Sequence, residues 1–293
     1  MKKIGFIGLG LMGGAMVSRL QDKGYPVSVL GNHDRTQIDK ALARGASEAA
    51  NAKSLADACD IVMLCMSTSD HVESRMRGAD GVIAGLEPGK FVIDFGTSLP
   101  GSTKTLGAEV AARGATMLDA PLGRTPSHAL DGMLNIMCAG DQDAFDAVRP
   151  VLEDLGENVF HLGPLGTGHT VKLINNFFGM TVANSMAEAF AMADKADVPR
   201  KALYDVMSAG PLHSGMMDFV SAYGLEGDAT KLAFSIRNAA KDVGYYGQMA
   251  DDLGAQSLMS TSVKSALETA RDDGRGDQMV AEMVDFFAER FKG

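Results

Sequence analysis

The chain has 293 residues, 46% of them hydrophobic and 22% charged, an ordinary balance for a soluble globular protein with room for two domains. A formal charge of -10 with no cluster of Lys or Arg excludes a general nucleic-acid or membrane-surface binder, because both partners are polyanionic. No run reaches the roughly 18 apolar residues of a membrane span, and Cys59, Cys65 and Cys138 lack C-x-x-C spacing, so we expect a cytoplasmic protein with neither disulfides nor a metal site.

The chain opens with strand, tight turn and helix. Lys3 to Ile7 is a short apolar run, Gly8-Leu9-Gly10-Leu11-Met12-Gly13 follows, and Ala15 to Lys23 keeps helical period up to Gly24. In that context G-x-G-x-x-G has a mechanical meaning. Gly8 permits the turn, Gly10 lets a pyrophosphate approach the backbone, and Gly13 lets the helix pack on the strand, with the helix N-terminus facing the anion. A second strand, Val27 to Leu30, comes at the expected distance, so Gly8, Gly10, Leu11, Met12 and Gly13 read as a dinucleotide cradle. NAD enzymes normally place Asp or Glu at the end of that second strand for the ribose diol. This chain reads Gly31-Asn32-His33-Asp34-Arg35-Thr36. With Asn32, His33 and Arg35 available instead, NADP is favoured over NAD, while Asp34 keeps NAD open.

Ile61 to Met66 and Phe91 to Phe95 read as third and fourth strands, each after a helical segment, and the alternation means a parallel sheet with crossover helices. Cofactor and substrate groups gather beyond the carboxyl ends of such strands. Three loops qualify: Met66 and Ser67 with Thr68 and Ser69; Gly96-Thr97-Ser98; and Gly123-Arg124-Thr125 after the run Thr116 to Leu122. Ser69 reads equally well as the cap of the next helix. The Arg124 fork suits a carboxylate, phosphate or sulfonate, the alternative being a salt bridge to a nearby acid. Met133 to Ala139 is a further strand and Gln142 to Leu155 a helix. Pro164, with three glycines in six residues, then marks a boundary between a domain of residues 1–163 and one of residues 164–293.

Gly166 to Asp194 reads as one long helix, with no Pro and no Gly after 179. Its apolar residues, from Val171 and Ile174 through Phe178 to Met192, go right round the circumference, so we expect burial on most sides. Lys172, Asn175 and Asn176 share one face at spacings of three and four, and a buried Lys needs polar company, so that face must look into a polar pocket. Beyond Asp194 only helical periods remain, an all-α domain. There Lys241-Asp242 reads, by composition, as a surface ion pair, and His213 has no identifiable partner.

Five motifs in order, GFIGLGLMGGAM at the start, DFGTS at 94–98, DAPLGRT at 119–125, G-x-G-x-x-V-K-L-I-N-N at 166–176 and AAKD at 239–242, resemble the β-hydroxyacid dehydrogenases over nearly the whole chain. The resemblance implies an α/β Rossmann domain followed by an all-α domain used for dimerisation, joined by a long interdomain helix, with a cleft between them. It implies an NAD(P)-dependent oxidoreductase interconverting a small anionic semialdehyde and its β-hydroxy acid, as a homodimer or homotetramer. Lys172 would be the catalytic acid/base, with Asn175 and Asn176 supporting substrate, Thr97 beside the nicotinamide and Lys241 reaching into the cleft, against the surface-pair reading. Desolvation lowers the pKa of such a Lys toward neutrality and lets it protonate a developing alkoxide.

Two departures bear on substrate. Gly96-Thr97 stands where the family commonly has Ser-Thr, and Gly123-Arg124-Thr125 where it commonly has Ser-Gly-Gly. The latter resembles the Gly-Arg-Thr with which sulfolactaldehyde reductases hold a sulfonate, although Gly179 stands where those carry a Ser. A 3-hydroxycarboxylate dehydrogenase is the alternative within the same chemistry. A non-catalytic dinucleotide-binding scaffold is the alternative outside it, and a retained Lys172 with two Asn argues against that.

Overall fold

Apolar runs of four residues alternating with amphipathic helices dictate the first half of the fold, and the computed structural model, which describes residues 1–292, realises it as a doubly wound sheet. In chain order the elements are β1 (Ile4–Ile7), α1 (Leu11–Asp22), β2 (Val27–Leu30), α2 (Thr36–Ala43), β3 (Ser47–Ala49), α3 (Ala52–Ala58), β4 (Ile61–Leu64), α4 (Ser69–Met76), β5 (Phe91–Asp94), α5 (Pro100–Ala111) and β6 (Thr116–Asp119). The six strands form one parallel sheet in the order β3-β2-β1-β4-β5-β6. Period two splits each central strand between two cores. Ile4, Phe6, Ile61, Met63 and Ile93 pack with α1 on one face, while Ile7, Val62, Leu64 and Val92 pack with α3, α4 and α5 on the other.

The run Thr116 to Leu122 is not one strand. It breaks after Asp119, and Leu122–Gly123 (β7) joins a second sheet with Leu134–Cys138 (β8) and Gly156–His161 (β9). Pro121 has no N–H for a ladder, which is where a strand can leave a sheet. Two strands escaped the sequence reading. β3 is a polar three-residue edge, paired Val29 to Glu48, and β9 follows α7 (Gln142–Leu155) without a turn signal. The remaining helix of this half is α6 (Pro126–Asp131).

One helix, α8 (Thr167–Lys195), then runs for 29 residues, roughly 43 Å at the usual rise. The division of the chain into two compact units, Met1–Lys172 and the part from Leu173 on, falls inside it. In the second unit Met180, Ala183, Met186, Ala187 and Phe190 give α8 its buried stripe, in a core shared with α9 (Arg200–Ser208), α10 (Gly215–Glu226), α11 (Ile236–Asp252), α12 (Leu258–Ala270) and α13 (Met283–Phe291). No named strand occurs in this unit among the described residues. The expectation that α8 is buried on most sides needs correction. Ile174 is 49% and Phe178 69% exposed, because the apolar residues that circle the helix outnumber the neighbours available to cover them. Among the described residues no helix is long and apolar enough to cross a membrane.

Candidate active site

The turn after β1 is shaped by close backbone approach. Gly8 has φ +98, and a Cβ there would lie 2.4 Å from the Cys65 carbonyl oxygen and 2.9 Å from Met66 Sδ. A Cβ on Gly13 would lie 2.0 Å from the Gly8 carbonyl oxygen, so no larger residue lets α1 sit this close to the strand. Gly10 is different. It is the N-cap of α1, no side chain caps the helix, and a Cβ there would meet nothing within 4 Å. The open space lies in front of uncapped helix N–H groups and the positive end of the helix dipole, which fits the pyrophosphate of a dinucleotide. Leu11 is exposed on the first turn, and Met12 packs against the core.

At the end of β2 a depression of about 420 Å³ is lined by Gly31, Asn32, His33, Arg35, Glu48 and Arg75, among others. The Asn32 side chain is turned back to accept from the His33 N–H at 2.9 Å, and Asp34 accepts from the Thr36 N–H at 2.9 Å, occupied at the start of α2. Arg35 does not offer the free guanidinium that the sequence reading assumed. It donates to both oxygens of Glu48, at 2.6 and 3.0 Å, and to Asp39 at 3.2 and 3.0 Å.

The loops after β4, β5 and β6 hold one another. Thr68, not Ser69, caps α4, accepting from the His71 N–H, while the buried Ser69 hydroxyl accepts from the Leu99 N–H at 2.8 Å. Met66 borders the Gly8 turn, Ser67 is exposed, and Thr97 is half-buried on the next loop. Asp94 accepts from the Gly96 N–H and the Ser98 hydroxyl.

Asp119, wholly buried at the end of β6, accepts from the Gly166 N–H and the His169 N–H, both at 2.7 Å, and so ties down the start of α8. Burial pushes its pKa up, and the charge of His169 and the backbone donors oppose that shift. His169 is also wholly buried. The Thr103 hydroxyl lies in hydrogen-bond range of His169 Nδ1, at 2.8 Å, and of the Leu99 carbonyl, at 3.2 Å, and His169 Nε2 lies 3.7 Å from Asp94 Oδ2. In sequence the acids of the DFGTS and DAP motifs carry no visible task. The available signal was a helix start, Gly166-Thr167-Gly168, with no acid of its own to satisfy its N–H groups.

Lys172 is half-buried in the second turn of this anchored helix, and the exposed Asn175 donates to Asn176 at 3.2 Å. Within the second unit Asn176 donates to Asp242 Oδ2 at 2.6 Å, Phe177 stacks on Tyr246, and Lys241 lies 2.9 Å from Asp242 Oδ1. The Lys241–Asp242 pair exists, but it is no surface pair. Asp242 is buried, Lys241 is only 21% exposed at its side chain, and its ammonium sits over the Tyr245 ring. His213 does have a partner: its Nε2 lies 2.9 Å from Asp218 Oδ1, which also accepts from Tyr204. A Cβ on Gly179 would lie 3.2 Å from Met216 Cε, so that position borders an apolar group.

Arg124 sits between β7 and α6 with φ +76, a left-handed conformation that costs a residue with a Cβ free energy. Both its bonds leave through Nη1, to the Met133 carbonyl at 2.8 Å and to Glu157 at 2.5 Å. The Nε and Nη2 edge has no acceptor among the described residues. Thr125 is the N-cap of α6, in hydrogen-bond range of Ser127 and His128, and Gly123 abuts Asn135.

Residues 3–163 match the family model described as the NAD binding domain of 6-phosphogluconate dehydrogenase, and residues 166–287 the one described as NAD-binding of NADP-dependent 3-hydroxyisobutyrate dehydrogenase. The chain belongs to the β-hydroxyacid dehydrogenase family. It is an oxidoreductase that uses a nicotinamide dinucleotide and acts on CH–OH groups. The enzyme is 35% identical over 207 residues to the NAD-dependent L-serine dehydrogenase of Pseudomonas aeruginosa, covering 71% of this chain and 69% of that one. It is 31% identical over 281 residues to the 3-sulfolactaldehyde reductase of Escherichia coli, covering 95% and 93%. In fold it is similar to Mycobacterium tuberculosis 3-hydroxyisobutyrate dehydrogenase with L-serine, at a TM-score of 0.84 and 23% identity over 98% of this chain and 99% of that one.

Proposed function

We propose that the enzyme interconverts a small anionic semialdehyde and its β-hydroxy acid, with Lys172 as general acid/base and Arg124 as the anchor of the anionic group. The observation that carries this is the tether of α8. Asp119, at the carboxyl end of the sheet that also bears the Gly8–Gly13 turn, fixes the helix start five residues before Lys172, within the same compact unit. When bound, the dinucleotide supplies or accepts a hydride at the reacting carbon. Lys172 gives a proton to the oxygen that becomes the hydroxyl and takes it back in the oxidative direction.

A strained Arg124 with one edge of its fork unused suits a terminal carboxylate or sulfonate, whose binding positions the carbonyl rather than activating it. Arg124→Ala raises the apparent KM for the anionic substrate by about 10–100-fold and leaves kcat within a few-fold, as expected for an interaction made equally in ground and transition states. An unchanged KM removes the anchor role.

Sulfolactaldehyde fits the Gly-Arg-Thr loop. A 3-hydroxycarboxylate of the 3-hydroxyisobutyrate or serine kind is the second reading, supported by Gly179, which has no hydroxyl to offer a sulfonate and borders the Met216 methyl. A panel of sulfonated and carboxylated semialdehydes and alcohols separates the two by kcat/KM. A chain that reduces or oxidises none of them, yet binds the dinucleotide, is the scaffold instead.

The exposed Ile174 and Phe178, one helical turn apart, support a homo-oligomer in which a second copy covers this stripe. Phe178→Asp then lowers the mass measured by light scattering, and an unchanged mass places the interface elsewhere.

A further inference from the structure

β3 carries Glu48 in register with Val29 of β2, and Gly31 lies two residues beyond Val29 on the same face. A Cβ on Gly31 would fall 2.2 Å from Glu48 Oε1 and 3.1 Å from Arg35 Nη1, so the Glu48 carboxylate, with the Arg35 nitrogen bonded to it just behind, occupies the space that a side chain at the end of β2 would fill. That is the place where dinucleotide folds that use NAD put an acid for the ribose diol. The Arg35 fork grips both Glu48 oxygens through Nη1 and Nη2, and Nε and Nη2 also donate to Asp39. Two carboxylates thus share one guanidinium, and the three residues together are negative. We infer that Glu48 selects the dinucleotide: reaching across from β3, its carboxylate accepts from the adenosine ribose hydroxyls of NAD and repels the 2′-phosphate of NADP, and Arg35 is the positioning residue that holds it there.

The Arg35 bonds hold the Glu48 carboxyl below its ordinary range, so it is ionised at neutral pH. The ion pair is exposed and contributes little to stability, which leaves recognition as its main effect. Asp34 is the other acid near this strand end, and its Oδ1 is turned to the Thr36 N–H at the start of α2. Arg75 lines the same depression as a second cation, and the test includes it.

The inference rests on the reading of the Gly8–Gly13 turn as the dinucleotide site, and direct binding keeps the two apart. Calorimetric titration of the full chain with NADH and NADPH gives a wild-type preference for NADH of at least about tenfold, the scale of one like-charge contact. Glu48→Ala and Glu48→Gln shrink that preference by about tenfold or more, by removing the repulsion and freeing Arg35 for the phosphate. The gain in NADPH affinity is lost in Glu48→Ala/Arg35→Ala. A wild type that prefers NADPH, or a ratio that the Glu48 substitutions leave unmoved, overturns the inference. A gain that survives without Arg35 but is lost in Glu48→Ala/Arg75→Ala overturns the part given to Arg35. Binding of neither dinucleotide to the wild type overturns the cradle itself, and the inference with it.

Discussion

Lys172→Ala lowers kcat by about 10²–10⁴-fold, the usual worth of a positioned general acid/base, while the affinity for the dinucleotide stays within a few-fold of wild type. The split follows from where the groups sit. The cradle is made of backbone at Gly8, Gly10 and Gly13 and of the uncapped start of α1, and Lys172 contributes to none of it. In the proposed reaction proton transfer depends on an amine at one height along α8, and two 2.7 Å bonds to Asp119 hold the start of that helix. Steady-state kinetics combined with dinucleotide titration gives the answer. Turnover that survives in Lys172→Ala assigns the proton to another group. A parallel loss of dinucleotide binding means that the substitution has disturbed the helix rather than the chemistry.

Asp119→Ala costs about 3 kcal/mol of stability, and activity is lost as well because Lys172 is no longer held. Two buried N–H groups at the start of α8 lose their acceptors, each worth about 1–3 kcal/mol when left unsatisfied. Part of that is offset, since the carboxylate is itself costly to bury, as its raised pKa indicates. Asp119→Asn keeps the shape but turns one acceptor into a donor facing a backbone N–H, so it recovers little. Urea denaturation of the first unit, followed by hydrogen exchange at residues 166–170, measures the effect. A shift below about 1 kcal/mol excludes the anchoring role.

These expectations sort by how local their causes are. The turn from Gly8 to Gly13 was readable because strand, glycines and helix are contiguous, and Gly8 and Gly13 each answer a steric demand arising within a few residues or from the adjacent strand. α8 was readable as a helix from a run without Pro and without Gly after 179, and its Lys172, Asn175 and Asn176 face from the 3.6-residue period alone. Burial was less legible. Ile174 and Phe178 look like core by composition, but which apolar residues are covered depends on neighbours far away in sequence.

Partners across the sheet were not legible at all. Arg35 offered itself as a phosphate anchor until Glu48, on an edge strand too short and polar to announce itself, claimed its guanidinium. Arg124 found Glu157, 33 residues on. Asp119 looked like one more strand-end acid until the fold brought Gly166 and His169 against it from 47 and 50 residues away. The sequence by itself determined most of the alternating strands and helices, the strand–turn–helix around Gly8 to Gly13 and the helix face that carries Lys172, because periodicity and backbone sterics act over a few residues. Only the tertiary structure decided which charges are already spent on each other, because ion pairs and helix anchors are closed by strand register and packing.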